Sequence, residues 1–586
     1  PYEPEEYIKI YNPTENDIDI SNWELTDLEG NFVFPNCTIL KSKESIYVTR
    51  NSSAFNSELG FTANFEVNNK FQLANSGDDV ILKDARGNVI DAIIYGNSNY
   101  NGGGWVGKPA RAVSEGTILK RKISEVSGLY LDSDSASDWD SPRIYKVGQS
   151  NFEYKTFQLN TTVVAFVSPD SSFQVVKEEL EKAKESVYLS LYQFTNYQLA
   201  KYLINASERN VDIKILLEGS PVSWNFSNVD EQGYYEGINA YREAYLEKYI
   251  CSMLLEKGCE IRFMVSDSER NIPTRYNYLH SKYAVIDNHT LIISSENWKP
   301  TGIPMDNTYG DRGWGVVIKS SQVARYFADV FFEDFNLSKN DIIQMNLNDE
   351  RYLPPNWFVV SEEGRPTTHY KPKFGVKITN SSFNISPVLS PDSSLLENSS
   401  VLGLINSAKK YIYIELLSCK LNWSSYPNLY LESVIDAARR GCEVKILLDG
   451  KYVSNEINKQ DNLDTVAYVN GIAQRENLNL EAKALVFEKN YLAKIHNKGM
   501  VVDGEKVLIS SINWNYNSVA KNREAGVIIE NRDTAKYFED VFIFDWTIEH
   551  NNDNDSNYNE KISLPYSITI ILIVIITLSV IRDLKK

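Results

Sequence analysis

The strongest constraint on the fold of this chain is an internal repeat. Four segments of the first half recur in the same order in the second half, at offsets of 211 to 231 residues. The paired segments are 168–170 with 390–392, 211–219 with 442–450, 280–298 with 496–514, and 324–331 with 535–542. Similarity that keeps its order over such a length predicts two tandem copies of one structural unit.

Each copy has the pattern of an α/β unit. In the first copy the alternation predicts strands at 187–192 and 213–217, with a helix around 197–206 between them. In the second copy 412–417 and 444–448 are the matching strands. Alternating strands and helices predict a mostly parallel or mixed sheet with helices on its faces. The predicted fold of each copy is therefore an α/β/α sandwich.

The two ends of the chain differ from the repeat. Residues 1–105 contain short apolar alternations separated by turn signals, which predict an all-β sandwich. Residues 564–581 carry no charge and are just long enough to predict a transmembrane helix, with a buried strand or core helix as the alternative. The basic residues after this segment place the C-terminus in the cytoplasm and the other domains on the outer side of the membrane.

These patterns together give a multidomain organisation. The predicted parts are a β-sandwich (1–105), a connector (106–159), the first α/β unit (160–340), a linker (341–373), the second α/β unit (374–550), an acidic Asn-rich spacer (551–563), a transmembrane helix (564–581) and a basic cytoplasmic tail (582–586). An excess of Asn-x-Ser/Thr sequons agrees with an outer-surface location. Cys251 with Cys259, and Cys419 with Cys442, could form disulfides there or could be small buried residues.

The charge balance limits the partners. The chain has 60 Lys and Arg against 78 Asp and Glu, a formal net charge of −18. This excess argues against a protein that coats nucleic acid through a broad basic surface, although a local basic cleft stays possible. The five cysteines show no spacing typical of zinc ligands, and no cofactor is predicted.

The third repeated segment carries the chemically distinctive residues. His280, Lys282 and Asp287 stand in the pattern His-x-Lys-x-x-x-x-Asp, and the same spacing recurs in the second copy. The recurring triplet and the polar residues that follow both triplets are His496, Lys498, Asp503, Ser294, Ser295, Asn297, Ser510, Ser511 and Asn513. Because the chain has only five histidines, two such triplets in register are not expected by chance.

This pattern suits a phosphate ester better than a metal. Residues i and i+2 of a strand face the same side, so each His is predicted to lie beside its Lys. Two lysines and two asparagines can bind a phosphoryl oxyanion, while two histidines can divide the roles of nucleophile and general acid. The lysine charges would repel a metal cation, and neither copy has a His-x-x-x-His pair.

The paired blocks resemble the HKD motifs of the phospholipase D superfamily, over about residues 160–550. The resemblance implies one metal-independent active site shared by two units, and hydrolysis or transfer to an alcohol through a phosphohistidine. It implies His280 as the nucleophile and His496 as the acid for the leaving group. The residues that it implies for the phosphoryl group are Lys282, Lys498, Asn297 and Asn513, with Ser295 and Ser511 as supporting donors.

The chain departs from the family pattern at the acidic residue that orients each histidine. In the second unit Glu524 matches the pattern and is predicted to hold His496 in one tautomer. In the first unit Gly313 stands where that Glu is expected, so Asp311 or Asp306 is the candidate substitute. This difference leaves His496 as the alternative nucleophile.

The N-terminal region has a resemblance of its own. Residues 7–14, 20–25 and 75–91 resemble a lamin-tail domain, which is an immunoglobulin-like sandwich. The resemblance implies a role in targeting or adhesion. The adjacent residues Asp78 and Asp79 follow a glycine and indicate a turn rather than a metal site.

The sequence therefore predicts a membrane-anchored, outward-facing phosphodiesterase of the phospholipase D type, with a phospholipid as the favoured substrate. Three alternatives stay open. They are a nuclease of the same superfamily, a cardiolipin-synthase-like phosphatidyltransferase and, from another class, a catalytically inactive surface adhesion protein.

Overall fold

The computed structural model describes residues 6–548, except for 69–71, 115, 142, 220, 222–230, 266–273, 361–367, 424–425, 451–460 and 488–490. The described residues up to Trp546 belong to one compact unit.

The N-terminal region is a β domain, in agreement with the prediction. Its elements are β1 (Tyr7–Tyr11), β2 (Ile18–Asp19), β3 (Glu24–Thr26), β4 (Asn31–Val33), β5 (Ile39–Leu40), β6 (Ser45–Thr49), α1 (Ser52–Leu59), β7 (Phe65–Glu66), β8 (Gly77–Lys83) and β9 (Val89–Gly96). Strands β1-β6-β7 and β4-β3-β8-β9 form two sheets, and β2 pairs with β5. Ile20, Leu25, Phe34 and Val48 pack in the core of this domain.

A connector follows the β domain and reaches the second α/β unit. It contains β10 (Thr117–Ile118), a 3-10 turn at Ala136–Asp138 and β11 (Tyr145–Lys146). The Glu125 carboxylate accepts hydrogen bonds from the amides of Glu397 and Asn398. Ser150 donates to the Asp392 carboxylate at 2.6 Å, so the end of the connector is tied to the interior of the second unit.

The first α/β unit alternates strands and helices as its sequence predicts. Its elements are β12 (Phe157–Ser168), α2 (Ser172–Lys182), β13 (Ser186–Leu191), α3 (Tyr197–Glu208), β14 (Asp212–Glu218), α4 (Glu231–Glu256), β15 (Glu260–Met264), β16 (Lys282–Ile286), β17 (Thr290–Ser294), β18 (Gly313–Lys319), α5 (Ser321–Asp334) and β19 (Ile342–Gln344), with a 3-10 turn at Glu350–Tyr352.

The second unit follows this order from its first strand to its last helix, with a short strand pair and a short helix added. Its elements are β20 (Lys377–Ser390), α6 (Ser400–Asn406), β21 (Tyr411–Leu416), β22 (Asn422–Trp423), β23 (Tyr426–Pro427), α7 (Leu429–Arg439), β24 (Glu443–Asp449), α8 (Asp461–Glu476), β25 (Leu480–Leu485), β26 (Lys498–Val502), β27 (Lys506–Ser510), α9 (Tyr516–Ala520), β28 (Glu524–Glu530) and α10 (Arg532–Trp546).

The two units share one continuous sheet of 15 strands, in the order β19-β15-β14-β13-β16-β17-β18-β12-β20-β28-β27-β26-β21-β24-β25. The sheet is mixed, because β13, β14 and β15 run parallel while β16, β17 and β18 pair antiparallel. Strands β12 and β20 pair antiparallel at its centre, with Asn160 opposite Ser382. The strand order is therefore nearly symmetric about this central pair.

Local sequence signals explain where the helices begin. The Asn196 side chain accepts a hydrogen bond from the Leu199 amide and caps α3, and Ser320 does the same for α5 through Val323. Such caps satisfy amide groups that the first turn of a helix leaves unpaired. The helices then bury one apolar face, with Val323, Phe327 and Phe331 of α5 fully enclosed.

The predicted membrane anchor is corrected by the structure. Among the described residues, none of the helices combines the length and the apolar character needed to cross a bilayer. The longest, α4, has 26 residues, but charged residues such as Arg242 and Glu243 interrupt it. Residues 564–581 lie outside the described part of the chain. The transmembrane helix in the predicted fold class, and the outer-side localisation that depended on it, are therefore not retained.

The cysteines are free thiols. Cys251, Cys259, Cys419 and Cys442 are buried, and Cys37 is exposed. The four buried cysteines were predicted either to form disulfides or to be small core residues. In the structure they are core residues of the two α/β units.

Candidate active site

The two His-Lys segments meet where the two units face each other. His280 lies two residues before β16, and its amide donates to the Arg523 carbonyl of the second unit at 2.8 Å. The His496 amide likewise donates to the carbonyl of Arg312, in the first unit, at 2.8 Å. Each histidine is therefore held by the backbone of the opposite unit, and the predicted shared site is a single place in the fold.

The two arginines that hold the histidines are themselves locked into buried ion-pair networks. Arg312 pairs with Asp170 and with Asp545 of the second unit, both at 2.8 Å. The counterpart network consists of Arg523 with Asp392 at 2.8 Å and with Asp334 of the first unit at 2.7 Å. Neither guanidinium is exposed, so their side chains are fixed by several charge-assisted bonds. This role was not predicted, although Asp170 and Asp392 end one of the repeated segments.

The two motif lysines are buried beside their histidines. Lys282 donates to the His280 carbonyl at 2.5 Å, and Lys498 donates to the His496 carbonyl. Burial lowers the pKa of Lys282 to about 7. Burial also lowers the pKa of Lys498, and the charges of Lys282 and Lys494 act in the same direction. An anion between the lysines would relieve this cost, because it stabilises their charged forms.

The carboxylate partner of His280 comes from the second unit. His280 Nδ1 lies 2.7 Å from Glu524 Oε2. The Glu524 carboxylate also accepts from Ser511 Oγ at 2.5 Å and from Asn522 Nδ2 at 3.0 Å. The prediction that Glu524 orients His496 is therefore wrong, because the crossed backbone contacts bring β28 against the opposite histidine. Burial lowers the pKa of His280 to about 4, so its imidazole is neutral near pH 7.

The carboxylate partner of His496 is a residue that the sequence analysis missed. His496 Nδ1 lies 3.1 Å from Glu296 Oε2 in the first unit, within ion-pair distance, although within the described part of the chain neither atom has a hydrogen-bond partner. A Cβ atom at Gly313 would come within 1.9 Å of Glu296 Oε1, so this carboxylate fills the space of the side chain that Gly313 lacks. The signal was present in the repeat, where Glu296 aligns with Ile512 and Gly313 aligns with Glu524. The first unit therefore supplies its carboxylate from another strand end than the second unit does, and in both units the carboxylate faces the histidine of the opposite unit.

Neither predicted substitute takes this place. Asp311 lies near Glu296 and accepts from Thr301 Oγ1 at 3.3 Å, whereas Asp306 accepts from Thr308 in a local turn. Burial first, and then the charge of Asp311, raise the pKa of Glu296 to about 8.

One group of side chains could be mistaken for a metal centre. Candidate ligand atoms of Glu296, Asp311 and His496 lie within 4.8 Å of one another. We do not assign them as metal ligands, because the ammonium group of Lys494 already supplies positive charge beside the two carboxylates. Asp311 is the main cause of a raised pKa at Lys494, and Glu296 contributes in the same direction.

The asparagines of both units keep hydrogen-bonding capacity at the site. Asn297 and Asn513 are 8% and 9% exposed, and within the described part of the chain neither Oδ1 atom has a hydrogen-bond partner. Buried amide groups normally find partners, so these two are available to a ligand. Ser295 and Ser511 are already engaged, since their hydroxyls donate to Glu296 and Glu524 and accept from the amides of Trp314 and Ala525.

The aspartates of the two motifs lie at the far ends of their strands. Asp287 accepts from the amides of Lys184, Glu185 and Ser186, and Asp503 accepts from those of Lys409, Lys410 and Tyr411. Five residues of extended chain separate Asp287 from Lys282, a distance of about 16 Å. The structure therefore brings together the histidines and lysines but leaves these aspartates at structural positions.

The surroundings of the two histidines are unequal. The centre of the Tyr192 ring lies 4.9 Å from the centre of the His280 ring, and the Lys282 ammonium lies 5.4 Å from the centre of the Tyr192 ring. The residue that aligns with Tyr192 in the second unit is Leu417. One half of the site is thus aromatic and the other aliphatic.

Comparisons with known proteins agree with the resemblance seen in the sequence. The family model "Cardiolipin synthase, PLD-like domain" matches residues 176–335 and 401–546, and the "Lamin Tail Domain" model matches residues 1–97. A cardiolipin synthase of Listeria welshimeri is 23% identical over 398 residues, covering 65% of this chain and 68% of the relative. A cardiolipin synthase of Clostridium perfringens is 21% identical over 448 residues, covering 73% and 80%.

Two solved structures show weaker similarity. A phosphatidylserine synthase of Haemophilus influenzae is 14% identical with a TM-score of 0.44, over 67% of this chain and 87% of that one. Nuc of Salmonella typhimurium, described as a phospholipase D family member, is 19% identical with a TM-score of 0.22, over 33% and 99%. Likeness at this level supports no argument about function.

Proposed function

Because the chain belongs to the phospholipase D-like family, we propose that it is a phosphatidyltransferase of the cardiolipin synthase type, which moves a phosphatidyl group from one alcohol to another. The prediction of a phospholipase D-superfamily enzyme is confirmed at the level of the family. The relatives named above are synthases, so transfer replaces hydrolysis as the preferred reaction.

The observation that carries the proposal is the pair of buried histidines, each with a carboxylate of the opposite unit at Nδ1. A carboxylate near Nδ1 leaves Nε2 for the substrate, and the hydrogen bond to Glu524 fixes the orientation of the His280 ring. Two histidines held in this way can serve as nucleophile and general acid at one phosphorus atom.

The reaction is proposed in two steps. In the first, Nε2 of His280 attacks phosphorus, a P–N bond forms, and the P–O bond to the leaving alcohol breaks as His496 gives that oxygen a proton. In the second, the acceptor alcohol returns a proton to His496 as its oxygen attacks, and the P–N bond breaks. Lys282 and Lys498 balance the charge of the phosphoryl oxygens in both steps.

The burial of the site supports transfer over hydrolysis. The His280 and His496 side chains are 15% and 8% exposed. A phosphohistidine in such a position meets little bulk water, so an alcohol bound beside it competes well for phosphorus.

The test uses the full chain with vesicles that contain phosphatidylglycerol, and it measures cardiolipin and released glycerol by mass spectrometry. The wild type is expected to form both, and His280→Ala and His496→Ala are each expected to lose at least about 1,000-fold. His289→Ala, at an exposed histidine outside the site, is the matched control and should retain activity. Wild-type turnover in both active-site variants would refute the proposal, and turnover of single-stranded DNA without lipid turnover would indicate a nuclease.

A further inference from the structure

The end of the connector packs against both segments that hold His280. One of them is the chain that leads into β16 of the first unit. Gln149 Nε2 donates to the Arg275 carbonyl of this chain at 2.6 Å, and Lys146 Nζ donates to Asn277 Oδ1 at 3.2 Å. The connector is therefore fixed to the first unit three to five residues before the histidine.

The other segment lies where β28 of the second unit begins. The Arg523 carbonyl accepts from the His280 amide at 2.8 Å, and the Glu524 carboxylate lies 2.7 Å from His280 Nδ1. The connector reaches this segment through Asp392, whose Oδ1 accepts from Arg523 Nη1 at 2.8 Å and whose Oδ2 accepts from Ser150 Oγ at 2.6 Å. One buried carboxylate thus joins the connector to the residue that holds His280.

Several further bonds lock this junction. The buried Arg143 side chain donates from Nη1 to the Asp392 carbonyl at 3.2 Å and from Nη2 to the Ser150 carbonyl at 2.9 Å. The Phe152 amide donates to Asp392 Oδ2 at 2.7 Å, and Arg523 donates directly to Ser150 Oγ. Charge-assisted bonds between buried groups hold a fixed geometry and are costly to break, so the connector and the second unit meet rigidly here.

The second histidine has an equivalent junction that another segment makes. Arg312, whose carbonyl holds the His496 amide, pairs with Asp170. The Asp170 carboxylate accepts from two backbone amides just before β20 at 2.7 and 2.9 Å, and from Tyr370 Oη at 2.7 Å. The connector therefore closes the pocket of His280, and the linker between the two units closes that of His496.

We propose that the connector segment 143–152 is a positioning element of the active site, which holds His280 through Asp392 and Arg523. The proposal rests on the proposed function, which makes His280 the nucleophile. The Arg523 carbonyl and the Glu524 carboxylate aim Nε2 at phosphorus only while the Arg523 side chain is fixed, and the connector supplies groups that fix it. A small displacement of the nucleophile from the line of attack costs a large factor in rate.

The first experiment compares Arg143→Met with Arg121→Met in the full chain. Arg121 is the matched control, because its ion pairs with Asp91 and Asp132 lie outside the two α/β units. Arg143→Met is expected to lower kcat on phosphatidylglycerol vesicles by about 10–100-fold while KM changes less than about 3-fold, and the control should retain activity. Ser150→Ala should lose about 10-fold, and Ser150→Thr, which keeps the hydroxyl, should recover most of it. A loss shared by Arg121→Met, or equal losses in the two Ser150 variants, would overturn the proposal.

The second experiment separates the two junctions by the leaving group. Bis(4-nitrophenyl) phosphate releases a stable anion that needs no proton, whereas phosphatidylglycerol releases an alkoxide that does. A misplaced nucleophile slows both reactions, so Ser150→Ala is expected to lose equally on both substrates. Tyr370→Phe, in the junction of His496, is expected to lose at least about 5-fold more on phosphatidylglycerol than on the nitrophenyl ester. The same pattern in both variants would overturn the assignment of the connector to His280.

The third measurement needs no substrate, so it separates this proposal from the proposed function. The Nδ1 proton of His280 is enclosed and faces the Glu524 carboxylate, so it should exchange slowly with water. In protein labelled with 15N-histidine, Arg143→Met should speed this exchange at least about 10-fold and Arg121→Met should not, with His280→Ala identifying the signal. Unchanged exchange would overturn the positioning role. Faster exchange in a protein whose wild type turns over neither phosphodiester would support the positioning role and overturn the proposed function instead.

Discussion

The buried Arg312 network makes a strong prediction about stability. Arg312→Met keeps most of the apolar volume of the side chain but removes its guanidinium. That group pairs with Asp170 and Asp545 at 2.8 Å and donates to the Ser168 carbonyl and to Tyr370 Oη at 3.1 and 2.9 Å. Both aspartates are fully buried, so they would be left as uncompensated charges. Breaking a buried pair in this way costs about 3–5 kcal/mol.

The pH dependence of the loss tests its physical cause. Burial raises the pKa of Asp545 to about 6 even with Arg312 present, and removing the arginine raises it further. A carboxyl group whose folded pKa is raised destabilises the protein increasingly as the pH rises above its unfolded pKa, and the loss is complete only above its folded pKa. The deficit of Arg312→Met should therefore be larger at pH 8 than at pH 5.

Urea unfolding followed by tryptophan fluorescence measures this deficit, because Trp314 and Trp514 are buried near the site. Arg439→Met is the control, since Arg439 makes exposed ion pairs with Asp436 and Glu476 that are worth at most about 1 kcal/mol. A deficit of Arg312→Met no larger than that of the control, or one independent of pH, would refute the reasoning.

Three further predictions concern single positions. Asp287→Ala should destabilise the protein by about 2–4 kcal/mol in denaturation assays, because the backbone amides that donate to its carboxylate lose their acceptor. In turnover assays the kcat of the folded variant should change less than about 3-fold. A 100-fold loss of kcat would instead indicate that Asp287 takes part in the reaction. Sulfate, whose charge is constant over the range, should bind the free protein more weakly above pH 7 as Lys282 loses its proton, and Lys282→Met should reduce this dependence in calorimetric titrations. Gly499→Ala should cost about 1–3 kcal/mol in urea unfolding because its Cβ would lie 2.3 Å from the Trp314 ring, whereas Gly375→Ala, with open space around it, should be neutral.

Much of the site could be predicted because its geometry is local. His280 and Lys282 are two residues apart next to a strand, and the pleat places them on one side without further information. The duplication then implied that His496 and Lys498 lie at an equivalent place. The alternation of strands and helices in each unit was predictable for the same reason, since it depends on short-range periodicity.

The pairing of carboxylates with histidines could not be predicted in this way. A repeat shows which residues are equivalent, but it does not show whether a residue serves its own unit or the other one. The match to the family pattern places Glu524 in the same unit as His496, whereas the crossed backbone bonds of Arg312 and Arg523 place it against His280. Glu296 was not predicted as a partner of His496, because its counterpart in the other unit is the apolar Ile512 and gives no reason to expect a carboxylate at this strand end.

The crossed arrangement also has a consequence for substitutions. Each half of the duplicated sequence supplies the carboxylate that faces the other half's histidine, so a substitution at either carboxylate affects the opposite unit. The contact between a carboxylate and the opposite histidine can be provided from more than one position. The first unit has Glu296 and Gly313 where the second unit has Ile512 and Glu524, so each unit provides the carboxylate from a different place. The two repeated histidines thus have different neighbours within one uninterrupted sheet.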